Sequence, residues 1–298
     1  MSERIKCNIC ESNNIKRHDF CKNPILIDEI NANSVRVTNK DYGLCLEMVK
    51  CLECGLVQPR YELDFSDVVK LYSDMDDDEY IKSSHLRGLS NYNQIIKILK
   101  KHLNKSSRIL EIGSGSGVLV GLLKEDFSNV DGIEPSRYFC DYAKEKYDVD
   151  MKNISFEMLD GSKKYDAVVA LDVIEHVTSP NDFMKVVGDI LNDEGITIIV
   201  TPNKDSISAK IMGKKWWHIR PPHLFYFDDK SFNVLAKKYN FNFISKKLFY
   251  WNLPFYYLID SLQKLFIGQS LVSFKFLSFN VKINMLDSRL YVLIKNKK

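Results

Sequence analysis

Short runs of hydrophobic residues recur along the middle and the end of the chain, separated by segments long enough for helices. Most of these runs are apolar at consecutive positions, which is typical of parallel strands that are covered on both faces. The strand-like runs are residues 109–112, 129–133, a short stretch around Val149, 165–171, 195–200, 241–248 and 287–294. Their alternation with helical segments predicts an α/β fold built on a doubly wound parallel sheet.

Helical patterns occupy the segments around these runs. Residues 81–103 carry apolar side chains at 3–4 spacing and predict a helix that packs on the sheet. The acidic stretch 74–79 before it is typical of a solvated loop or a helix N-terminus. Ser179 and Pro180 predict another helix start, because serine caps an N-terminus and proline fits the first turn. An apolar pattern within about 250–280 predicts an amphipathic helix that docks on its own domain, joins two copies or contacts a membrane surface.

A glycine-rich segment follows the first strand. Residues 111–117 read EIGSGSG, and the residues after them are typical of a helix. Glycine lets the backbone approach a ligand and adopt positive φ, and the helix behind it aims unpaired N–H groups at whatever lies over the loop. This arrangement predicts a nucleotide-like cofactor at the carboxyl edge of the sheet.

A second acidic residue follows at the end of the next strand. Glu134 lies seventeen residues after Gly117, and an ionised carboxylate can accept hydrogen bonds from both hydroxyls of a ribose. The glycine spacing is G-x-G-x-G and differs from the dinucleotide fingerprint G-x-G-x-x-G, although a redox Rossmann domain stays open as an alternative.

Together, the segment 111–117 and the segment GIEPS at 132–136 resemble the first two motifs of class I S-adenosylmethionine-dependent methyltransferases. The resemblance implies a Rossmann-like, seven-stranded sheet with an antiparallel last strand, and S-adenosylmethionine as the cofactor. The cofactor-binding residues that it implies are Glu111, Gly113, Ser114, Gly115, Gly117, Glu134 and Asp172.

Four cysteines near the start of the chain form two C-x-x-C pairs. Cys7 with Cys10, and Cys51 with Cys54, have the spacing of knuckles that bring four thiolates to one zinc ion. Four sulfur ligands leave no open coordination position, so the predicted role of the zinc is structural. Disulfides are the alternative, which a reducing compartment would disfavour.

The knuckles are far apart in sequence and predict an inserted hairpin with strands at 25–30 and 34–38. Cys21 and Cys45 lie between them and are expected to be bystanders, although either could replace a zinc ligand. This organisation predicts a zinc-ribbon-like module at residues 1–65 and a methyltransferase domain at 66–298.

Three later segments narrow the resemblance. Residues 172–177, 201–203 and 216–227 are similar to a bacterial family that modifies sugars and small metabolites, whose members often carry an N-terminal cysteine cluster. The acceptor loop is expected at about 204–228. We expect O-methylation of a sugar, nucleotide-linked or part of a surface polysaccharide precursor. N- or C-methylation of a sugar or metabolite stays open, and the further C-terminal domain of sugar C-methyltransferases is not expected here.

A hydroxyl acceptor needs a general base, and histidine titrates in the useful range. His223 follows two prolines in the acceptor loop and is the first candidate; His176, at the end of the fourth strand, is the second. Each could instead only cap or pack. A histidine base predicts a rate that rises with pH through the ordinary histidine range. The aromatic residues expected to form a wall, a lid or simple anchors near the site are Trp216, Trp217, Tyr226, Tyr72 and Tyr80.

Composition limits the remaining classes of function. The 298 residues are 45% hydrophobic and 27% charged with a net charge of +3, which is ordinary for a globular protein. The mixed charge of the cysteine-rich segment does not favour nucleic acid, although a zinc-ribbon nucleic-acid-modifying protein is an alternative of another class. The start of the chain has no signal-like core, and no run is long enough to span a bilayer, so we expect a cytoplasmic protein with at most weak peripheral membrane contact. The sequence does not indicate an oligomeric state.

Overall fold

The computed structural model describes residues 2–39, 41–256, 259–260, 263, 280–283 and 287–297. Its N-terminal part, up to residue 59, consists of short elements. They are β1 (Ile15–His18), β2 (Asn23–Ile25), α1 (Ala32–Val35), β3 (Leu44–Leu46), β4 (Met48–Cys51) and β5 (Val57–Pro59). Strands β1, β4 and β5 form an antiparallel sheet, while β2 pairs with β3 in parallel.

The hairpin predicted at 25–30 and 34–38 is wrong. Residues 27–29 form one 3₁₀ turn, and α1 extends into the second predicted strand. The Asn31 side chain accepts hydrogen bonds from the N–H groups of Asn33 (3.0 Å) and Ser34 (3.3 Å). The Ser34 hydroxyl accepts one from the N–H of Asn31 in return. This reciprocal cap satisfies backbone donors that a strand would have paired, and it fixes a helical turn.

The rest of the described chain contains helices as well as strands. The helices are α2 (Phe65–Ser73), α3 (Asp78–His102), α4 (Val118–Asp126), α5 (Arg137–Tyr147), α6 (Pro180–Ile190), α7 (Ile207–Met212) and α8 (Asp229–Lys238). The acidic stretch is the N-terminus of α3, where the Asp77 carboxylate accepts from the N–H of Tyr80 at 2.9 Å. Ser179 caps α6 through the N–H of Asp182 at 3.2 Å, with Pro180 in the first turn. Both predicted helix starts are therefore confirmed.

A six-stranded sheet forms the centre of the larger part. Its strands are β6 (Arg108–Ile112), β7 (Asn129–Ile133), β8 (Tyr165–Leu171), β9 (Leu191–Pro202), β10 (Phe241–Leu248) and β13 (Ser288–Lys295). Between β10 and β13, the strands β11 (Trp251–Pro254) and β12 (Asn280–Ile283) form a separate antiparallel pair. The order across the sheet is β10-β13-β9-β8-β6-β7. Strands β6 to β9 are parallel, and β13 is antiparallel to both β9 and β10. The Rossmann-like α/β class and the antiparallel last strand are confirmed.

The predicted third strand around Val149 did not form in the described residues. Only one parallel bridge, between Ile133 and Lys152, continues the sheet beyond β7. The described sheet therefore has six strands where the resemblance implied seven. Because β7 and β8 lie on opposite sides of β6, the chain changes direction at the carboxyl end of β6, which is where ligands bind in open parallel sheets.

The hydrophobic core continues from the sheet into the N-terminal part. One cluster of buried side chains covers one face of the sheet and includes Leu56 and Val57 of the N-terminal part together with Tyr226. A second cluster, with Ile95 of α3, fills the other face. The boundary predicted near residue 65 thus separates two parts that share a core, and it stays a prediction.

The apolar insert predicted within about 250–280 falls mostly outside the described residues. The described part contains β11, β12 and helical positions at 255–256, 259–260 and 263. Leu258, Leu262, Leu265 and Phe266, which contribute to the predicted apolar pattern, lie outside the described residues. In the part of the chain that the structure describes, no helix is long and apolar enough to cross a membrane.

Candidate active site

The loop between β6 and α4 has a conformation that its glycines make accessible. Gly113 and Gly117 have φ of +71° and +75°. A Cβ atom on Gly113 would lie 2.6 Å from Val173 Cγ2, and one on Gly117 would lie 2.6 Å from Ala143 Cβ. Both positions therefore need glycine for the backbone conformation and for close packing. The loop passes over the carboxyl end of β6 as the sequence predicted.

Glu134, at the end of β7, is tied to the same loop. Its carboxylate accepts hydrogen bonds from the N–H of Gly115 at 2.9 Å and from the N–H of Ser136 at 2.9 Å. Burial raises the pKa of Glu134 to about 7, although the two hydrogen bonds act in the opposite direction. The carboxylate is thus held in one orientation, and its charge depends on pH near neutrality.

Glu111 is the second buried acid. Its Oε2 has no hydrogen-bond partner among the described residues, and burial followed by the charge of Glu134 raises its pKa well above the ordinary range. Ionising a buried carboxyl group with one unpartnered oxygen is costly, and a cation bound beside it would remove much of that cost. The pair therefore favours a positively charged ligand.

One cavity of about 290 Å³ joins these groups to the acceptor loop. The predicted site residues that line it are Glu111, Gly113, Ser114, Gly115, Glu134, Asp172, His176 and His223. Gly117 is not among the lining residues and acts through the turn. Asp172 has φ of +52°, a strained conformation of the kind that clusters at ligand sites. Tyr72 and Tyr80, expected as a lid, also line the cavity.

His176 lies in a buried hydrogen-bond network. Its Nδ1 is 2.7 Å from the Tyr72 hydroxyl and 2.9 Å from the carbonyl oxygen of Pro222. With a hydrogen on Nδ1 it donates to this carbonyl, and in the other tautomer it accepts from Tyr72. Burial, and then the positive charge of Arg220, lower the pKa of His176 to about 3.

His223 has a different environment. Its ring packs edge-on against the ring of His176, with 4.7 Å between the ring centres, and stacks on the ring of His218, with 5.7 Å between the ring centres. Its Nδ1 is buried and has no hydrogen-bond partner among the described residues. Burial, followed by His176 and Arg220, lowers the pKa of His223 well below the ordinary range. The imidazole is therefore neutral at neutral pH, and Nδ1 carries a lone pair when the ring hydrogen is on Nε2.

These pKa shifts correct the expected pH dependence. A base whose pKa is lowered is already deprotonated through the ordinary histidine range, so an acid limb belongs at lower pH than the sequence predicted. Glu175 also lies near the two imidazoles: one donor atom from each of Glu175, His176 and His223 lies within 4.8 Å of the others. The Thr201 hydroxyl donates to Glu175 Oε2 at 3.0 Å and holds the carboxyl group in place.

The acceptor loop is anchored by its aromatic residues. Trp216 and Tyr226 are buried and do not line the cavity. The Trp217 ring N–H donates to Asp287 at 2.7 Å, and His218 Nε2 lies 3.2 Å from the same carboxylate. Although burial alone would raise it, the pKa of Asp287 is lowered because His218 and Trp217 bind this carboxylate. For Trp216 and Tyr226, the geometry therefore favours the role of an anchor over that of a wall against the acceptor.

The family assignment rests on the segment that contains this cavity. A family model described as a methyltransferase domain matches residues 86–246, which is more than half of the chain. The chain belongs to this methyltransferase family. The class I resemblance of the glycine loop and Glu134 is thereby confirmed.

Curated relatives of this methyltransferase are named ubiquinone biosynthesis O-methyltransferases. Those of Rhodopseudomonas palustris and Pelagibacter ubique are 31% and 28% identical to it over 126 and 154 residues. The matches cover 39% and 46% of this chain and 50% and 64% of those proteins. The chain thus spans about half the length of the first of these relatives and less than two thirds of the second.

The fold has counterparts among solved structures. A magnesium protoporphyrin IX methyltransferase from Synechocystis PCC 6803, with bound S-adenosylhomocysteine, superimposes with a TM-score of 0.50 over 76% of this chain and 92% of its own. The two are 14% identical, so the likeness supports the fold alone. S-adenosylmethionine, a cation, fits the cradle of this methyltransferase because two buried carboxylates face the cavity.

Several cavity residues of the methyltransferase have no recognisable signal in the sequence. Residues 154–157, which follow the single bridge between Ile133 and Lys152, line the cavity. Val35 and Val37 of the N-terminal part and Val68 and Val69 of α2 line it as well. Only the amphipathic pattern of α2 could have indicated such a position. Arg220, a residue of the acceptor loop without a predicted role, also lines the cavity.

The four predicted zinc ligands of the methyltransferase lie together. Cys7 and Cys54 have sulfur atoms 3.5 Å apart, as do Cys10 and Cys51, and all four lie within 4.8 Å of one another. Zinc–sulfur bonds of about 2.3 Å in a tetrahedron would place the sulfurs about 3.8 Å apart, so the donors fit a zinc ion. Cys21 and Cys45 are free cysteines outside this group.

Proposed function

We propose that this methyltransferase transfers a methyl group from S-adenosylmethionine to a hydroxyl group of a small molecule, with His223 as the general base. The observation that carries the proposal is that His223 lines the same cavity as Glu134 and the glycine loop, while its buried Nδ1 has no hydrogen-bond partner among the described residues. A neutral imidazole in this position can accept the acceptor's proton. His176, whose Nδ1 already has two partners, is the second candidate.

The proposed reaction is an in-line displacement at carbon. S-adenosylmethionine supplies an electrophilic methyl group on a sulfonium. The acceptor oxygen forms the new bond to the methyl carbon, the carbon–sulfur bond breaks with its electron pair on sulfur, and the hydroxyl proton passes to His223 Nδ1. Because the geometry must align three atoms, residues that fix both ligands can supply several kcal/mol of the rate enhancement.

Charge is balanced within the site during this step. One positive charge disappears at sulfur as another forms on the imidazole, so a site that excludes water need not accommodate an extra charge. Glu175 lies within 4.8 Å of the histidine donor atoms. Burial, followed by the charge of Asp172, raises its pKa well above the ordinary range, so it already carries a proton and leaves the role of base to His223. The Tyr72 hydroxyl, whose pKa burial raises, stays protonated and serves only as a donor or acceptor of hydrogen bonds.

The cofactor residues have separate roles in this proposal. Glu134 accepts hydrogen bonds from the ribose hydroxyls, and Glu111 compensates the positive charge of the cofactor. The glycine loop, which includes Ser114, places its backbone against the cofactor. Asp172, at the end of β8, faces the same cavity and adds negative charge at the cofactor.

A sugar hydroxyl is the acceptor that the sequence predicted. A hydroxylated aromatic ring is the second candidate, because the curated relatives are named for ubiquinone biosynthesis and because several valines line the cavity. We further propose that Cys7, Cys10, Cys51 and Cys54 hold one structural zinc ion, which stabilises residues 1–65 as a module.

The test is methyl transfer from labelled S-adenosylmethionine to two panels, nucleotide sugars with their free sugars and dihydroxylated benzoates with catechols. Mass spectrometry of the products identifies both the acceptor and the methylated atom. A product methylated on oxygen, formed by the unmutated chain and lost in Glu134→Ala, is expected. Methylation on nitrogen or carbon alone, or S-adenosylhomocysteine that does not bind, would overturn the proposal.

A further inference from the structure

Arg220 places a positive charge in the cavity that no acidic side chain neutralises among the described residues. It is the one arginine or lysine among the described residues that line the cavity. Its guanidinium donates to two carbonyl oxygens of the N-terminal part, those of Arg36 at 2.6 Å and Val37 at 3.2 Å. Among the described residues, its Nε is buried without a hydrogen-bond partner, and no carboxylate forms an ion pair with its guanidinium.

The neighbouring acids do not neutralise this guanidinium. Asp287, which lies against the loop that carries Arg220, binds His218 and Trp217. Glu175 accepts a hydrogen bond from Thr201 through Oε2, while its Oε1 has no hydrogen-bond partner among the described residues. Burial, followed by the charge of Asp172, raises the pKa of Glu175 well above the ordinary range, so this group favours its neutral form. Buried or half-buried charges in proteins are normally paired, so a guanidinium held open by two neutral carbonyls is prepared for an anion from outside.

The position of the guanidinium identifies the end of the cavity that it serves. Its positive charge is among the influences on the pKa of Tyr72, His176 and His223, so it lies near all three. These residues form the acceptor end, whereas Glu111 and Glu134 form the cofactor end. The cavity therefore has an acidic half that suits a cationic cofactor and a half with a single fixed cation among its described residues.

We propose that Arg220 binds an anionic group of the acceptor, a phosphate or a carboxylate, and so positions the hydroxyl against His223. This inference rests on the proposed function and narrows its acceptor to an anionic hydroxylated molecule. A guanidinium presents parallel N–H donors to two oxygens of such a group, which fixes orientation as well as affinity. Both acceptor classes considered above include anionic members: the phosphates of nucleotide sugars and the carboxylate of dihydroxybenzoates.

The test measures binding and needs no turnover. Protein saturated with S-adenosylhomocysteine is titrated by ligand-observed NMR with two matched pairs, glucose 1-phosphate against methyl glucoside and 3,4-dihydroxybenzoate against catechol. The anionic member of at least one pair should bind tenfold or more tightly than its neutral counterpart, and the pair that responds identifies phosphate or carboxylate. The preference should weaken with added salt.

Arg220→Gln should abolish this preference while S-adenosylhomocysteine affinity stays unchanged. Arg137→Gln is the matched control, because it removes the same charge from an exposed position on α5. If Arg220→Gln fails to fold, Arg220→Lys should retain the preference with severalfold weaker binding, since lysine keeps the charge and loses the paired donors.

Equal binding of charged and neutral members, or no binding of any anionic member to the unmutated protein, would overturn the inference. So would a preference that survives Arg220→Gln. These results are distinct from failure of the proposed function, which would appear as lost S-adenosylhomocysteine binding or as no methyl transfer to any acceptor.

Discussion

Burial changes the acid–base chemistry of individual side chains in the cavity. It raises the pKa of Glu134 to about 7 and lowers that of His176 to about 3. Neither shift is visible in the sequence, because a spacing pattern does not tell how much water reaches a group. The identity of these residues could be predicted from motifs, while their protonation required the packing around them.

Glu134→Gln should weaken S-adenosylhomocysteine binding by about tenfold or more, since charge-assisted hydrogen bonds to the ribose are each worth about 1.5–3 kcal/mol. Ribose hydroxyls favour the ionised carboxylate, so the affinity of the unmutated protein should fall as the pH drops below about 7, by up to about tenfold per unit. Calorimetry from pH 5.5 to 8.5 measures both effects. The pH dependence should become weaker in Glu134→Gln, leaving the part that Glu111 contributes, and persist unchanged in Glu145→Gln, an exposed control. A pH-independent affinity in the unmutated protein would contradict the role of Glu134.

His223→Ala should lower turnover by about a hundredfold, because the acceptor proton loses its base, while cofactor affinity barely changes. With saturating cofactor, the rate of the unmutated enzyme should be flat through pH 6–8 and fall only in more acid solution, since the pKa of His223 lies well below the ordinary range. The pH profile of turnover checks this, after dialysis against EDTA to exclude a metal contribution. Near-normal turnover in His223→Ala would transfer the role to His176. If both single mutants stay active, no histidine base is needed.

At the scale of elements, the strand–loop–helix unit of β6 and α4 requires glycine at one position and can do without it at another. Gly117 has positive φ and no room for a side chain. At Gly121, one helical turn later, a Cβ atom would meet its nearest neighbours at ordinary distances of 3.6 Å and 3.8 Å. The backbone conformation therefore requires glycine at position 117, whereas position 121 has room for a larger residue.

Gly117→Ala should destabilise the fold by about 1–3 kcal/mol, because it combines a strained φ with a Cβ contact of 2.6 Å. Gly121→Ala should instead leave stability unchanged or raise it by about 0.5–1 kcal/mol through helix propensity. Urea denaturation of both variants measures the difference. Equal stabilities of the two variants would show that the turn does not require glycine at 117.

Elements with strong local signals could be predicted, and those decided by distant contacts could not. The apolar run of β8 and the cap of α6 by Ser179 are local, and both predictions agree closely with the structure. Around α1 the strand prediction is wrong, although Asn31 followed by Ser34 carries a capping signal in the sequence. The order of β10 and β13 in the sheet, and the valines at 35 and 37 in the cavity wall, depend on contacts between residues far apart in sequence.

At the scale of the whole molecule, the N-terminal part holds the acceptor loop through hydrogen bonds. Val57 and Tyr226 exchange two backbone hydrogen bonds, of 2.9 Å and 3.2 Å. The N–H of Gly43 donates to the carbonyl oxygen of Ile219 at 2.7 Å, and Arg220 donates to residues 36 and 37. None of these contacts reaches the glycine loop. Disturbing the cysteine cluster should therefore affect the acceptor half of the cavity more than the cofactor half.

Freshly purified protein should contain one zinc per chain. Cys10→Ser should lose the metal, lower the thermal unfolding midpoint and reduce methyl transfer, with a much smaller effect on S-adenosylhomocysteine affinity, because zinc binding contributes directly to folding of its site. Cys21→Ser, a buried cysteine outside the cluster, should keep its zinc. Elemental analysis, thermal unfolding and calorimetry measure the three effects. Absence of zinc from the unmutated protein would show that the prediction is wrong.

The position of β13 between β9 and β10 has a consequence for protein synthesis. On a ribosome, β10 emerges about forty residues before β13, the strand that joins it to the sheet. Until then the outer edge of β9 offers unpaired N–H and C=O groups to any neighbouring chain, as edge strands do. Crowded nascent chains of this protein should therefore be most prone to aggregation in that interval, and a chaperone that shields strand edges should raise its soluble yield.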